Sequence, residues 1–212
     1  MSKLITQDLI SGIDWLKSCP PSWKDKAYTD LKNKLGRIWT EMPEAAKKGI
    51  ELEATLNKAV NGEIIDLKAS EEFKILMNIV TGYEQQKKTK SYITINDVEY
   101  CLYGKIDYYT PTHMIDLKST SNYKSSDKYL KTFQHKIYCY NEKIKFFSYV
   151  IAEFENDNSK KIKQIYDVEY SVPNNDFESL KIEIENKIKE VISFLKMDDM
   201  LWTLYNTTYS RY

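Results

Sequence analysis

Between Tyr92 and Lys118 the chain has few backbone conformations open to it. Tyr92-Ile93-Thr94-Ile95 and Val98-Glu99-Tyr100-Cys101-Leu102-Tyr103 are rich in β-branched and aromatic residues. They flank Asn96-Asp97, two residues that tolerate the positive φ of a tight turn. The spacing predicts a hairpin whose second strand runs on through Gly104-Lys105-Ile106-Asp107-Tyr108-Tyr109 until Pro111 breaks it. Met114-Ile115-Asp116-Leu117-Lys118 then predicts a third strand.

Helical periodicity surrounds this meander. Residues 1–40 predict short helices interrupted at Cys19-Pro20-Pro21. Pro43 at the start and Asn61-Gly62 at the end bracket a helix over 43–60. Leu76, Ile79, Val80 and Tyr83 give one buried face to a helix over 70–86. After the third strand, Asp127 is placed as the N-cap of a helix over 127–141, with Leu130, Phe133, Ile137 and Tyr140 on its apolar side. Strands over 144–154 and 162–172 follow, joined by the polar turn 155–159, then a helix over 176–196 and a tail holding Trp202, Tyr205, Tyr209 and Tyr212. This order predicts an α/β sandwich on a mixed central sheet flanked by helices. It forms a single domain with an N-terminal helical segment (1–42), a core (43–172) and a C-terminal helix and tail (173–212).

The chemistry sits on the meander. Asp107 and Asp116 are on successive strands joined by a short turn, so their carboxylates can meet at one edge. Lys118, two residues on, projects to the same face as Asp116. Leu117 points the other way, leaving its carbonyl free to turn toward the site. Two carboxylates and a carbonyl are hard oxygen donors, the set preferred by Mg²⁺ or Mn²⁺, and a neighbouring lysine can hold or deprotonate a water or stabilise charge on a phosphorane. Glu53 falls on the same side of its helix as Ala46, Gly49, Ile50, Leu56 and Val60, where a carboxylate needs a partner or a metal. Leu52, Leu56 and Ala59 form a competing stripe that would turn it outward. Gly49 leaves room one turn earlier. The tripeptide recurs at Asp66-Leu67-Lys68, but with no upstream strand carrying an aspartate, and that copy is expected to be structural. His113 and His135 have no partner at metal-ligand spacing.

Gly49-x-x-x-Glu53, Gly104-Lys105-Ile106-Asp107, Ile115-Asp116-Leu117-Lys118 and Gln134-His135-Lys136-Ile137-Tyr138 together resemble the PD-(D/E)XK nuclease superfamily. Within it, they resemble the branch of lambda-type phage exonucleases and recombination-helicase nuclease domains. All four motifs stand in that branch's order across 49–138. Asp116 takes the position more often held by glutamate, and the cysteines that bind an iron–sulfur cluster in some relatives are absent. The resemblance implies a restriction-endonuclease-like fold and Mg²⁺-dependent (or Mn²⁺-dependent) hydrolysis of DNA phosphodiesters. It implies Glu53, Asp107, Asp116 and the Leu117 carbonyl at the metal, with Lys118 and Gln134 completing the catalytic set. Tyr138, Lys124, Lys128 and Lys131 are expected along the substrate, although for the lysines a solvated helix face serves equally well.

Composition narrows the partner. The net charge is zero, so bulk electrostatics do not advertise nucleic acid, and of 31 basic residues only Arg37 and Arg211 are arginine. Lysine grips phosphate, whereas arginine is the residue that forks onto guanine, so the chain is poorly equipped to recognise a base sequence. The expectation is a DNA exonuclease without base specificity, serving phage or bacterial recombination, replication or DNA degradation. A homo-oligomer or a single-strand-binding or annealing partner would hold the neutral chain on its strand. A sequence- or structure-specific endonuclease of the same fold, or a silent DNA-binding module, are the alternatives. No membrane span or secretory leader is expected, and three cysteines without CxxC spacing fit a reducing cytoplasm, that of a bacterial host if the chain is phage-encoded.

Overall fold

A computed structural model of the chain describes residues 2–63, 70–156 and 159–211. The elements run β1 (Lys3–Thr6), α1 (Gln7–Ser18), α2 (Lys24–Leu35), α3 (Glu44–Val60), α4 (Glu71–Val80), β2 (Glu84–Ile95), β3 (Val98–Tyr109) and β4 (His113–Thr120). They continue with α5 (Asp127–Leu130), α6 (Gln134–Glu142), β5 (Phe146–Phe154), β6 (Ile162–Ser171), α7 (Phe177–Lys196) and α8 (Asp199–Leu204). The six strands form one mixed sheet in the order β1-β3-β4-β5-β6, with β2 on the other edge of β3. This is the expected α/β architecture. The repeated tripeptide at Asp66–Lys68 lies outside the described residues.

The predicted hairpin is present: Asn96 and Asp97 both have positive φ, and Ile95 faces Val98 across the turn. Its first strand is three times as long as its apolar stretch, because Glu84 to Ser91, polar throughout, extends it as an edge strand half open to water. The helix expected over 70–86 therefore stops at Val80. Gly82 takes φ +87, and the chain turns into β2. Strand β1 was not expected. Its four residues are too few for periodicity to register, yet Leu4 and Ile5 are buried and pair in parallel with Cys101 and Leu102. The helix expected over 127–141 is broken into α5 and α6. Ser126, not Asp127, holds the cap position of α5. Asp176 caps α7, accepting from the amides of Glu178 and Ser179, a contribution of about 1 kcal/mol.

Two hydrophobic cores lie on opposite faces of the sheet. The larger draws on α1, α2, α6, α7 and the tail, from Leu4 to Tyr209. The smaller joins Leu52 and Leu56 of α3 to Leu76 and Val80 of α4 and to Tyr108, Ile115, Val150 and Ala152 of the sheet. Leu52 and Leu56 are thus the buried stripe of α3, while Ala46 and Ile50, expected beside Glu53 on the apolar face, are exposed. No helix among the described residues is long and apolar enough to cross a membrane.

Candidate active site

Strand β3 changes partners midway, and that change builds the site. Residues 100–103 pair with β1, and on the same edge Tyr108 and Tyr109 pair with Ile115 and Met114 of β4. The ladder between β3 and β4 stops short of Asp107 and Asp116, where the two strands diverge as a fork. Ile106 belongs to the larger core and Tyr108 to the smaller, although a regular strand would send both to one face. The strand therefore rolls over at Asp107. Gln86, between residues that pair with Tyr108 and Ile106, has φ +58, the left-handed conformation that permits the roll on the neighbouring strand.

The carboxylates converge at this fork. Asp107 Oδ2 accepts from the Leu117 amide at 2.9 Å, so a backbone donor freed by the fork is satisfied by a catalytic candidate. Asp116 is 2% exposed, and its Oδ2 lies 2.5 Å from Lys118 Nζ. Gln134, at the first turn of α6 because the expected helix breaks just before it, donates its amide to Asp116 Oδ1. On the other side, Gln86 Nε2 donates to Glu53 Oε1 and, at 3.3 Å, to Asp107 Oδ1. Tyr108 fixes α3 in place by donating to Asn57 Oδ1 at 2.8 Å, one turn beyond Glu53. Gly49 faces Ser119, whose Oγ would lie 3.0 Å from a Cβ there. The glycine lets α3 approach β4, rather than opening space above Glu53.

Burial first, then the charges of Asp116 and Glu53, push the Asp107 carboxyl up to about 8. Burial likewise raises Glu53, against the opposing pull of Lys105 and Lys118. For Lys118 burial works against the ammonium, but the charges of Asp116 and Asp107 outweigh it, and its pKa rises. Three acids and one cation share one poorly solvated spot. Among the described residues no three His, Cys, Asp or Glu side chains close into a ready cage, since Glu53 meets Asp107 across the Gln86 amide. The donor set is nevertheless all oxygen, with excess negative charge that a hard divalent cation would relieve, so the residues fit Mg²⁺ or Mn²⁺.

The structure thus brings Glu53, Asp107, Asp116, Lys118 and Gln134 together. It places Tyr138 behind them. The ring is 5% exposed, and its hydroxyl donates to the Lys105 carbonyl at 3.0 Å and accepts from the Lys105 amide at 3.3 Å, which leaves it a supporting rather than a substrate-facing position. Lys124, Lys128 and Lys131 are exposed and take no part in the site's hydrogen bonds or ion pairs; Lys128 Nζ instead sits 5.6 Å over the Tyr129 ring. His113 is satisfied on both nitrogens, by Tyr83 at 2.9 Å and Ser148 at 3.0 Å. Gln86 is the site residue that sequence reasoning missed. It precedes any apolar alternation, and nothing in its neighbours signals the left-handed kink.

No model of a known family matches the chain, and no curated protein matches it. Solved structures do. The alkaline exonuclease LHK-Exo from Laribacter hongkongensis, in complex with dAMP, superimposes with a TM-score of 0.51 at 13% identity, over 92% of this chain and 90% of that one. This chain has the fold of that exonuclease. A second structure of the same enzyme gives 0.50 at 13% identity, over 91% and 90%. A phage-related exonuclease from Haemophilus somnus 129PT gives 0.47 at 14% identity, over 93% and 92%. The resemblance carried by the four motifs is met at the level of the fold, from an independent direction.

Proposed function

We propose that the chain is a divalent-metal-dependent deoxyribonuclease that degrades DNA from its ends without base specificity. The observation that carries this reading is the fork itself, where Asp107, Asp116 and Glu53 crowd together beside Lys118 at a break in the sheet. The structural likeness to the exonuclease LHK-Exo supports the same reaction class. Asp107, Asp116, Glu53 and the Leu117 carbonyl would hold Mg²⁺ or Mn²⁺. When bound, such an ion polarises the phosphate and makes water a competent nucleophile near neutral pH. Lys118, held as a cation by Asp116, is placed to stabilise the charge that develops on the phosphorane. Gln134 fixes the Asp116 carboxylate from one side and Gln86 fixes Glu53 and Asp107 from the other, so the acids are oriented before substrate arrives.

The scarcity of arginine favours contact with the phosphate backbone, which carries affinity but no sequence information. With zero net charge, a closed homo-oligomer or an annealing partner would supply the grip that bulk attraction does not. A phage or bacterial role in recombination or DNA degradation accords with these properties. The test compares linear duplex with covalently closed circular DNA at matched length and salt, with Mg²⁺ or Mn²⁺ and with excess EDTA. Loss of the linear form alone, only with metal, is expected. Discrete fragments from the closed circle, or full activity in EDTA, would overturn the proposal.

A further inference from the structure

Strand β2 divides its lysines between two faces. Lys87 and Ser91 turn toward α6, where Lys87 pairs with Glu142 at 3.0 Å and Ser91 donates to Asn141 at 2.6 Å. Lys88, Lys90 and Tyr92, in the alternate positions, face outward. The two lysines are exposed, and Tyr92 keeps 46% of its surface. Lys105 of β3 is exposed as well and sits directly opposite Lys88 in the antiparallel register. Like charges facing each other across a ladder destabilise it, and among the described residues none of these three lysines forms an ion pair with a carboxylate. The fold thus sustains a cationic pair beside the candidate active site, since Lys105 stands two residues before Asp107 on β3. From Lys88 to Tyr92 the strand extends about 14 Å. Phosphate-binding charge lies at the Glu53 end, and an exposed aromatic ring lies at the far end.

We propose that Lys88, Lys105 and Lys90 bind successive phosphates of a single DNA strand, with an unpaired base stacked on Tyr92, so that the outer face of the β2–β3 hairpin is the track joining this strand to the active site. The assignment rests on the nuclease reading for its direction, but its binding chemistry stands on the hairpin alone. An acidic protein surface would also meet the lysines. It would have no use for the ring, and the ring favours a nucleic acid with bases free to stack.

The experiment measures binding of a fluorescent single-stranded oligonucleotide by the whole protein in EDTA, across a salt series, by anisotropy. Each phosphate contact contributes about 0.7 to the slope of log K against log salt for single strands, so the Lys88→Gln/Lys105→Gln pair should lower the slope by about 1.4. Tyr92→Ala should weaken binding about tenfold with little change in slope. Lys105→Gln should leave thermal stability equal or higher, since it relieves a like-charge pair. Unchanged affinity and slope in all variants, or no binding by wild type, would overturn the track. Competition by polyglutamate as strong as by DNA, with Tyr92→Ala silent, would overturn it in favour of an acidic protein partner. A separate assay uses thymidine 5′-(p-nitrophenyl phosphate) with Mn²⁺, a substrate too short to reach the hairpin. If wild type fails to hydrolyse it while the binding results hold, the nuclease reading falls and the track survives as a DNA-binding surface. If hydrolysis proceeds equally in all variants while binding is unaltered, only the track falls.

Discussion

Gly104 offers a direct test of how the site is supported. It does not have positive φ, so glycine is not needed there for its backbone freedom. It is needed for space: a Cβ would lie 2.9 Å from Tyr138 Cζ and 3.0 Å from its hydroxyl oxygen, and closer still to the ring edge. Without that clash, Gly104→Ala in a strand interior would be neutral or stabilising by about 0.5–1 kcal/mol. With it, the ring must move. Overpacking costs about 1–3 kcal/mol, and displacement of the hydroxyl from both Lys105 backbone groups costs about 1 kcal/mol for each bond. The expected destabilisation is about 3 kcal/mol, or roughly 6–12 °C in Tm for a chain of this size. Tyr138→Leu removes the ring and should abolish the penalty, so a double-mutant cycle followed by urea denaturation should show about 3 kcal/mol of coupling at constant m-value. If Gly104→Ala costs as much in the Tyr138→Leu background as in wild type, the proposed steric relation between the two residues is wrong.

Four further outcomes follow from the site and its surroundings. Lys118→Ala should lower cleavage of linear DNA by about 10²–10³-fold or more while far-ultraviolet circular dichroism stays native, and Lys68→Ala, in the repeated tripeptide, should match wild type; the reverse result would misplace the active site. Gln86→Ala should reduce Mn²⁺ affinity by about 10–100-fold in calorimetric titration, because Glu53 and Asp107 lose their common donor; unchanged affinity would deny Gln86 an orienting role. Burial first, and Lys136 second, push His135 down to about 3, below its unfolded value of about 6.5. The folded state therefore resists a proton that the unfolded state accepts, stability is lost as pH falls from about 6.5 toward 3, and the loss reaches about 2–3 kcal/mol at pH 4.5. His135→Gln should flatten that decline in denaturation curves between pH 7 and 4.5, and parallel curves for the two proteins would contradict it.

Much of this molecule was readable in advance where periodicity or turn chemistry was strong. The Asn96-Asp97 hairpin, the strand carrying Asp116 and Lys118, and the long amphipathic helix α7 all form where their patterns placed them. Asp107, Asp116, Lys118, Glu53 and Gln134 do meet, and motif order found the last two, which geometry of the sequence alone left open. What stayed hidden depended on tertiary context. An edge strand made of Glu84-Gln85-Gln86-Lys87-Lys88 has no apolar rhythm, and β1 is too short to show one. The apolar stripe of α3 was misassigned because Ile50 and Leu52 compete for one face, and packing against Ile115 and Val150 decides for Leu52. The break before Gln134 was invisible as well, since Leu130 and Phe133 continue the helical spacing through it while Leu130 is in fact exposed.

The roll of β3 at Asp107 leaves the site on a seam between two separately packed layers. Glu53 rides on the layer formed by α3 and α4, whereas Gln134 rides on the layer formed by α6 and α7. The carboxylates held from these two sides keep their spacing only while the layers keep theirs. A cavity cut into the smaller layer, as by Leu56→Ala, would slacken Glu53 and leave Asp116 in place. The proposed chemistry could thus be detuned by a fault in packing well before the fold itself gives way.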